Sequence, residues 1–157
     1  MGLAEVKKYF EEKGIKNEIQ LLDANTATVA LAAQALGKEP GEIAKTLAFK
    51  LKDDSVIVIV VMGTARGDNK KYKETFGCKA SMLSLEETLE RTGHPVGGVC
   101  PFGLKDGVKV YLDESLKRFD IVYPACGSGN SAVKLSIPEL EKTSGYIEWI
   151  DVCQVIE

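Results

Sequence analysis

Residues 46–62 read TLAFKLKDDSVIVIVVM, and this stretch carries the clearest secondary-structure pattern in the chain. Residues 56–62 are an unbroken apolar run, far shorter than the ~20 residues that a membrane-spanning helix needs. Such a short run, rich in β-branched side chains, is typical of a buried strand. Residues 46–51 form a second strand candidate, and Asp53 and Asp54 separate the two. The sequence therefore predicts two adjacent strands joined by a tight turn.

Helix signals lie on both sides of these strands. Leu3, Val6 and Phe10 recur at helical spacing, and Gly14 can end this first amphipathic helix in a left-handed conformation. Polar residues mark further helix starts: we expect Thr26, Asp68 and Ser84 to cap helices over about 28–36, 69–76 and 85–91.

The remaining signals are short. They predict helices at 41–44 and 138–143 and strands at 18–22, 79–83, 108–112, 119–123, 133–135 and 147–152. About eight strands interrupted irregularly by helices do not give the strict alternation of a doubly wound sheet. The fold class predicted is α+β, with a mixed, curved sheet or barrel and surrounding helices, and residues 1–157 are predicted to form one domain.

Composition narrows the function classes. The net charge is −3 and the pI is near 5.4, so the chain lacks the broad basic field of a protein that grips long nucleic acid. Residues 1–13 carry several charges where a secretory signal would need an uncharged core, and no membrane segment is present. We therefore predict a cytoplasmic protein in which any nucleic-acid contact is small and local.

Cysteine and histidine usage argues against a structural metal. The four cysteines form no Cys-x-x-Cys pair, and His94 is the single histidine, whereas a zinc site needs about four closely spaced ligands. We expect reduced thiols, no metal and no cofactor. Cys100 or Cys126 could act as a nucleophile only with His94 as the nearby base, and a buried, inert cysteine is the more frequent situation.

Two glycine-rich segments follow predicted helices and strands. Residues 97–103 read GGVCPFG, which permits close backbone approach to a ligand and could form an oxyanion hole, although a tight turn between core strands has the same composition. Residues 127–131, GSGNS, lack the phosphate-loop and Gly-x-Gly-x-x-Gly patterns and predict a hairpin turn. Lys45 lies between apolar segments, where a lysine is either solvated or paired with an anion.

Taken in order, four segments resemble the YbaK/EbsC family of editing proteins. They are AKTL at 44–47, GHPVGGVCPFG at 93–103, VYLD at 110–113 and ACGSG at 125–129. Members are trans-editing relatives of the insertion domain of bacterial prolyl-tRNA synthetases and hydrolyse the ester between an incorrect amino acid and the tRNA 3′ end. The resemblance implies a mixed β barrel with surrounding helices, and it covers nearly the whole chain.

The resemblance also implies roles for single residues. Lys45 matches the functional lysine, in a role of holding the terminal nucleotide or the reacting ester, Gly98 lies in the pocket loop, and Asp113 matches an acidic pocket-side residue. These three form the implied catalytic set. The implied substrate-binding set is Thr46, Gly97, Val99, Cys100, Pro101, Phe102, Gly103, Gly127 and Ser128. Cys100 and residues 124–126 depart from the family pattern, which puts the amino-acid specificity in doubt.

The implied activity is an aminoacyl-tRNA deacylase that acts on small amino acids of the Cys, Ala, Ser or Thr type. Positioning and backbone donors would suffice, with water or a group of the substrate as the attacking nucleophile. The expected partner is the aminoacyl-tRNA 3′ end, with tRNA-Pro as one candidate tRNA and prolyl-tRNA synthetase as a further candidate partner. Two alternatives remain: a non-catalytic module that binds a tRNA end, nucleotide or synthetase, and a thiol enzyme.

Overall fold

The predicted pair of strands forms the centre of the main sheet. In the computed structural model, which describes residues 2–155, β2 (Ile43–Lys50) and β3 (Val56–Met62) run antiparallel. Every residue of β3 is buried, as the apolar run predicts. Asp53 accepts a hydrogen bond from the backbone N–H of Ser55 at 3.0 Å, and Asp54 adopts a positive φ of 70°, which closes the turn.

Four more strands extend this pair into a six-stranded mixed sheet with the order β8-β6-β2-β3-β5-β9. The added strands are β5 (Lys109–Asp113), β6 (Ile121–Pro124), β8 (Leu135–Ser136) and β9 (Glu148–Ile150). The β2/β6, β3/β5 and β5/β9 pairs are parallel, whereas β2/β3 and β6/β8 are antiparallel. Two small antiparallel sheets pair β1 (Ile19–Leu21) with β7 (Ser131–Val133) and β4 (Ala65–Gly67) with β10 (Cys153–Val155). The predicted α+β class is confirmed.

Helices cover the sheet. They are α1 (Leu3–Lys13), α2 (Val29–Leu36), α3 (Asn69–Phe76), α4 (Leu85–Thr92) and α5 (Ile137–Ser144), with 3₁₀ helices at Pro40–Glu42 and Glu114–Arg118. Asp68 caps α3 by accepting from Lys70 and Lys71, and Ser84 caps α4 in a reciprocal pair with Glu87, so both predicted caps are confirmed. Within residues 2–155, none of the helices combines the length and apolar character needed to cross a membrane.

Four predictions of local structure were wrong, one for a local reason and the others because of pairing between distant segments. Thr28, not Thr26, caps α2, since only Thr28 immediately precedes the first helical turn. The helix predicted at 41–44 shrinks to the 3₁₀ turn because Ile43 already pairs with β6. The strand predicted at 79–83 is a single bridge between Met82 and Phe49. Residues 127–131 form no hairpin, because β7 pairs with β1 and not with β6.

The core lies on both faces of the central pair. Val60 belongs to the cluster that α1 and the 97–103 loop cover, while Ile57, Ile59 and Val61 belong to the cluster that contains Tyr72 of α3. Side chains of a strand alternate between its faces, so neighbouring residues of β2 also point to different clusters. Ala44 packs with the first cluster and Leu47 with the second.

Candidate functional site: a groove at the open edge of β2

The groove lies where β2 is left without a neighbouring strand. Pairing with β6 stops at Ala44, and a covering segment returns only at Ala48, whose carbonyl accepts from Leu83 at 3.3 Å. Between these points residues 45–47 have no strand partner on this edge within the described range. A groove of about 370 Å³ opens there and exposes part of the strand edge to a ligand.

Small and apolar side chains form most of the groove wall. Ala44 and Ala48 come from β2, Ala32 from α2, and Ala132 from β7, while Val96 and Val99 come from the glycine-rich loop. Hydroxyl groups interrupt this surface. Thr26, Thr28, Thr46, Thr88 and Ser131 line the same groove, and Lys45 reaches it from β2. Larger side chains, among them Leu47, Met82 and Tyr123, complete the lining, so the groove is suited to a group with limited polar character.

Two glycines join the segments behind the groove. The N–H of Gly127 donates to the carbonyl of Gly98 at 2.9 Å, and a Cβ on Gly98 would lie 2.5 Å from the backbone nitrogen of Ser128. Gly97 has a φ of +93°, which only glycine adopts without strain, and it packs against Ala27. The close approach of these backbones explains why glycines occupy both segments.

The predicted role of Gly98 as a backbone donor is not supported by this geometry. Its N–H donates to the carbonyl of Pro95 at 2.9 Å and is therefore already used within the turn. Gly127 is equally occupied, because its N–H is bonded to Gly98. The hydroxyl of Ser128 lies within hydrogen-bond distance of Asn130 Oδ1, at 2.8 Å, and of Ser131 Oγ, at 2.9 Å. These three residues do not line the groove; they shape it by holding together the segments that do.

Only the first part of the 97–103 loop faces the groove. Gly97 and Val99 line it, whereas Cys100 and Phe102 are completely buried in the core. Phe102 stacks edge-on against Phe10 of α1 with ring centroids 5.1 Å apart. Pro101 is buried as well, and Gly103 approaches the backbone of α1. The resemblance placed Cys100, Pro101, Phe102 and Gly103 at the substrate, but the loop turns inward at Cys100 to fill the core.

The buried cysteines and His94 do not form a nucleophilic pair. The His94 Nε2 lies 2.7 Å from the Phe102 carbonyl, so this nitrogen carries the proton and donates it. It cannot accept a proton from Cys100, whose Sγ is 3.7 Å away. Burial raises the pKa of the Cys100 thiol to about 12, raises that of Cys126 as well, and lowers the pKa of His94. This geometry argues against the thiol alternative.

Lys45 is among the residues that line the groove, and its ammonium group is bound at β4. Its Nζ donates to the Ala65 carbonyl at 2.7 Å, and among the described residues no ion pair includes it. Burial is the main cause that lowers the Lys45 pKa; the nearby Arg66 charge lowers it further, while Cys153 opposes both. A half-buried ammonium group without a carboxylate partner can still bind an anionic or carbonyl oxygen of a ligand.

Asp113 lies away from the groove. Its side chain is buried, with one oxygen accepting from the Ser115 N–H and the other from the Val152 N–H, both at 2.9 Å. The carboxylate therefore caps the 3₁₀ helix Glu114–Arg118 and ties β5 to the segment between β9 and β10. The structure does not bring Asp113 together with Lys45 and the glycine-rich loop in one groove, and its geometry is that of a structural residue.

Thr26 is one of the groove residues that the sequence did not indicate. It is predicted as a helix cap, but it lines the groove and is only 6% exposed. Its Oγ1 and that of Thr46 find no hydrogen-bond partner among residues 2–155. The sequence offers one weak signal. Thr26 and Thr28 are both possible caps of α2, and because only one of them can cap the helix, the other is left for a different contact.

A second cavity of about 260 Å³ lies on the other side of β2. Leu47 and Met82 line both cavities, and Phe49, Ile59 and Tyr72 form apolar walls of the second. The Tyr72 hydroxyl also lacks a partner within the described chain, and burial raises the pKa of this phenol to about 12.

Comparisons with known proteins identify the family to which the fold and the sequence are similar. A family model described as an aminoacyl-tRNA editing domain matches residues 23–143, which include the groove residues. YwhH of Bacillus subtilis (strain 168), described as an uncharacterized protein, is 49% identical over 154 residues, 98% of each chain. EbsC of Enterococcus faecalis (strain ATCC 700802 / V583), described as a candidate Cys-tRNA(Pro)/Cys-tRNA(Cys) deacylase, is 32% identical over 116 residues, 72% of this chain and 70% of that one.

A solved structure shares the whole fold. It is described as a candidate trans-editing enzyme for prolyl tRNA synthetase and superposes with a TM-score of 0.87 and 30% sequence identity. The superposition covers 98% of this chain and 97% of that one.

Proposed function

This chain belongs to the aminoacyl-tRNA editing domain family, and on that premise we propose that it is a trans-editing deacylase for mischarged tRNA. The substrate is the ester that joins a small, incorrect amino acid to the tRNA 3′ end. The observation that carries the proposal is the largely apolar groove at the open edge of β2, which Lys45 and Thr46 line.

The reaction needs little chemistry from the protein. Water adds to the ester carbonyl, the bond to the ribose oxygen breaks, and that oxygen takes a proton to restore the tRNA hydroxyl. Lys45 can stabilise negative charge that develops on the carbonyl oxygen, or hold the neighbouring phosphate. No histidine or carboxylate is among the groove-lining residues of the described chain, so we assign no side chain as general base. Positioning of the ester then supplies the main rate enhancement.

The partners follow from the same reasoning. A protein of net charge −3 is expected to contact only the single-stranded end of tRNA, where a few groups suffice. The names of the relatives support tRNA-Pro as the tRNA and prolyl-tRNA synthetase as a partner of this activity. Such an activity would operate where aminoacyl-tRNA is made, in the cytoplasm.

A panel of mischarged tRNAs tests the proposal. Purified protein is incubated with tRNA-Pro carrying Ala, Ser, Thr, Cys or Pro, and the release of free amino acid is measured. We expect hydrolysis of at least one small incorrect amino acid, and a loss of about 10²-fold or more in kcat/KM for Lys45→Ala.

Lys50→Ala is the matched control, because Lys50 lies on the same strand but pairs with Glu87 at 3.0 Å on the surface. It should keep the wild-type rate. Binding of these tRNAs without release of any amino acid would contradict the deacylase and favour a non-catalytic module.

A further inference from the structure

The main chain of β2 presents its hydrogen-bonding groups to two different edges. In a strand, the N–H and C=O of alternate residues point to the same edge. The N–H of Leu51, directly after β2, donates to the Ser55 carbonyl on the β3 side, whereas the N–H of Lys50 donates to the Ser81 carbonyl on the other side. Odd-numbered residues of β2 therefore face β3, and even-numbered residues face the opposite edge, where the groove opens.

Thr46 is the even-numbered residue in the gap along this edge. On one side of it Ala44 still pairs with β6, and on the other the Ala48 carbonyl accepts from Leu83. The N–H and C=O of Thr46 point to the same edge, where no strand of the described range pairs with them. Thr46 lines the groove and is partly exposed, although its Oγ1 is covered, so the groove gives access to other atoms of this residue.

An α-aminoacyl group matches this pair of main-chain groups. In an antiparallel sheet, two opposing residues exchange two hydrogen bonds, each donating its N–H to the carbonyl of the other. An esterified amino acid keeps the same spacing, because one Cα separates its α-ammonium from its ester carbonyl. The ester carbonyl can thus accept from the Thr46 N–H while the α-ammonium donates to the Thr46 carbonyl. Four strand steps, about 13 Å, separate Ala44 from Ala48, which leaves room for one residue.

The two contacts differ in what they contribute to the reaction. The N–H groups of Gly98 and Gly127 are bonded within the protein, so neither can bind the carbonyl oxygen of a substrate. The Thr46 N–H has the direction that this role needs, and its bond strengthens when negative charge develops on the oxygen. The bond between the α-ammonium and the Thr46 carbonyl is made before and during the reaction, so it contributes to binding and orientation.

We propose that the Thr46 main chain binds the aminoacyl group as a one-residue strand added to β2, with its N–H on the ester carbonyl oxygen and its C=O on the α-ammonium. This inference rests on the proposed deacylase function and states how the same groove holds its substrate. Water adds to the carbonyl carbon, the oxygen held by the Thr46 N–H takes the negative charge, and this charge returns to the carbon as the bond to the ribose oxygen breaks. The substrate side chain then lies on the face of β2 that carries the Thr46 side chain, as opposing residues of a strand pair do.

Substrates with and without the α-amino group test the role of the Thr46 carbonyl. We measure kcat/KM for tRNA-Pro charged with the preferred amino acid and with its deamino analogue, which for alanine is propionic acid. Each value is divided by the rate of uncatalysed hydrolysis, because the α-ammonium itself activates the ester. The wild-type protein should prefer the aminoacyl ester by about tenfold or more, mainly through KM. Equal normalised values would overturn the proposal.

Replacing a single backbone amide by an ester tests the role of the Thr46 N–H. The α-hydroxy analogue of threonine at position 46 removes this N–H, keeps the side chain and should lower kcat by about 10²-fold. The same change at Phe49 is the matched control, because its N–H faces β3 and Phe49 does not line the groove. It should lower the midpoint of thermal unfolding and keep the wild-type kcat.

Two results at position 46 would overturn the proposal. One is an unchanged kcat, since the N–H would then not contact the reacting oxygen. The other is a midpoint of thermal unfolding as low as that of the Phe49 analogue, since the Thr46 N–H would then be bonded within the protein.

A binding measurement separates failure of this site from failure of the deacylase. Adenosine that carries alanine or propionic acid as a stable 3′-amide keeps the carbonyl and resists deacylation. At pH 7 the wild-type protein should bind the alanyl amide about tenfold or more tightly than the propionyl amide. Equal binding would overturn the main-chain site, whether or not any ester is hydrolysed. Tighter binding of the alanyl amide without hydrolysis of any ester would support the site and contradict only the deacylase.

Discussion

Neighbouring residues in this chain serve different purposes because the backbone directs them to different places. Lys45 and Thr46 are adjacent in β2, yet the Lys45 ammonium reaches the Ala65 carbonyl while the Thr46 hydroxyl is covered by protein atoms and has no hydrogen-bond partner among residues 2–155. His94 and Cys100 have side chains that could form a catalytic pair, but both residues are completely buried. At the residue scale, burial and hydrogen-bond partners decide whether a reactive side chain can react.

The buried His94 makes the free energy of unfolding depend on pH. Burial holds its folded-state pKa below the ordinary value of 6.5, so the unfolded chain binds the proton first as pH falls. Stability should therefore decline below about pH 6.5, by at most ~1.4 kcal/mol per pH unit, until the folded-state pKa is reached. Denaturant unfolding at closely spaced pH values measures this slope.

His94→Gln provides the comparison, because its amide can still donate to the Phe102 carbonyl that Nε2 contacts. The variant should lose the slope between pH 6.5 and the region where carboxylates titrate. A wild-type profile that is flat across this window would show that His94 is not held neutral by its surroundings.

Elements are held together in this fold by backbone contact as much as by side-chain packing. The 97–103 loop, the 127–131 segment and the start of α1 meet where Gly98, Gly103 and Gly127 leave no room for a Cβ. The groove wall is therefore a property of three segments that are distant in sequence. Aromatic contact between Phe102 and Phe10 adds a hydrophobic anchor behind the same wall.

Gly98→Ala tests how tightly these elements are joined. The new Cβ would lie 2.5 Å from Ser128 N and 2.6 Å from Gly127 C, and backbone atoms cannot rotate away. We expect a loss of about 1–3 kcal/mol in the free energy of unfolding and a fall in deacylase activity. Gly67→Ala is the control, since no atom lies within 4 Å of its Cβ position, and it should change stability little. Equal stabilities of both variants would mean that the segments can separate without cost.

The charge of the whole molecule limits how it meets tRNA. The chain carries 23 acidic and 20 basic residues, and α3 presents the local cluster Lys70, Lys71 and Lys73. Lys71 is already paired with Asp151 at 3.0 Å, which reduces the charge left for phosphates. Recognition should therefore depend on the groove and a few phosphate contacts instead of a long electrostatic track.

The salt dependence of deacylation tests this view. With about two phosphate contacts, the slope of log kcat/KM against log salt should be near −1.4, following −0.7 per contact for single strands. The rate should then fall about sevenfold between 50 and 200 mM salt. An aminoacylated oligonucleotide that contains only the acceptor end should give the same slope as full-length tRNA. A much steeper slope for full-length tRNA would reveal contacts beyond the 3′ end.

Features that depend on local interactions could be predicted from the sequence. The apolar run of β3, the caps at Asp68 and Ser84 and the glycine ends of helices depend on residues within one or two turns, so pattern and propensity were enough. The ordered motifs likewise indicated the family and placed Lys45, Thr46, Gly97 and Val99 near the groove. The same reasoning gave the wrong cap for α2, Thr26 instead of Thr28.

Contacts between distant segments determine which side of each segment faces the groove, and the sequence did not reveal them. The tertiary structure turned Cys100 and Phe102 into the core, moved Asp113 to a structural position, and brought Thr26 into the same groove as Thr46, which lies 20 positions further along the chain. These outcomes depend on contacts between distant segments, above all the close approach of the glycine backbones and the gap between β6 and the 81–83 segment along β2. Hydrophobic periodicity and helix capping depend on a few neighbouring residues, whereas the exposure of a groove depends on how segments throughout the chain pack together.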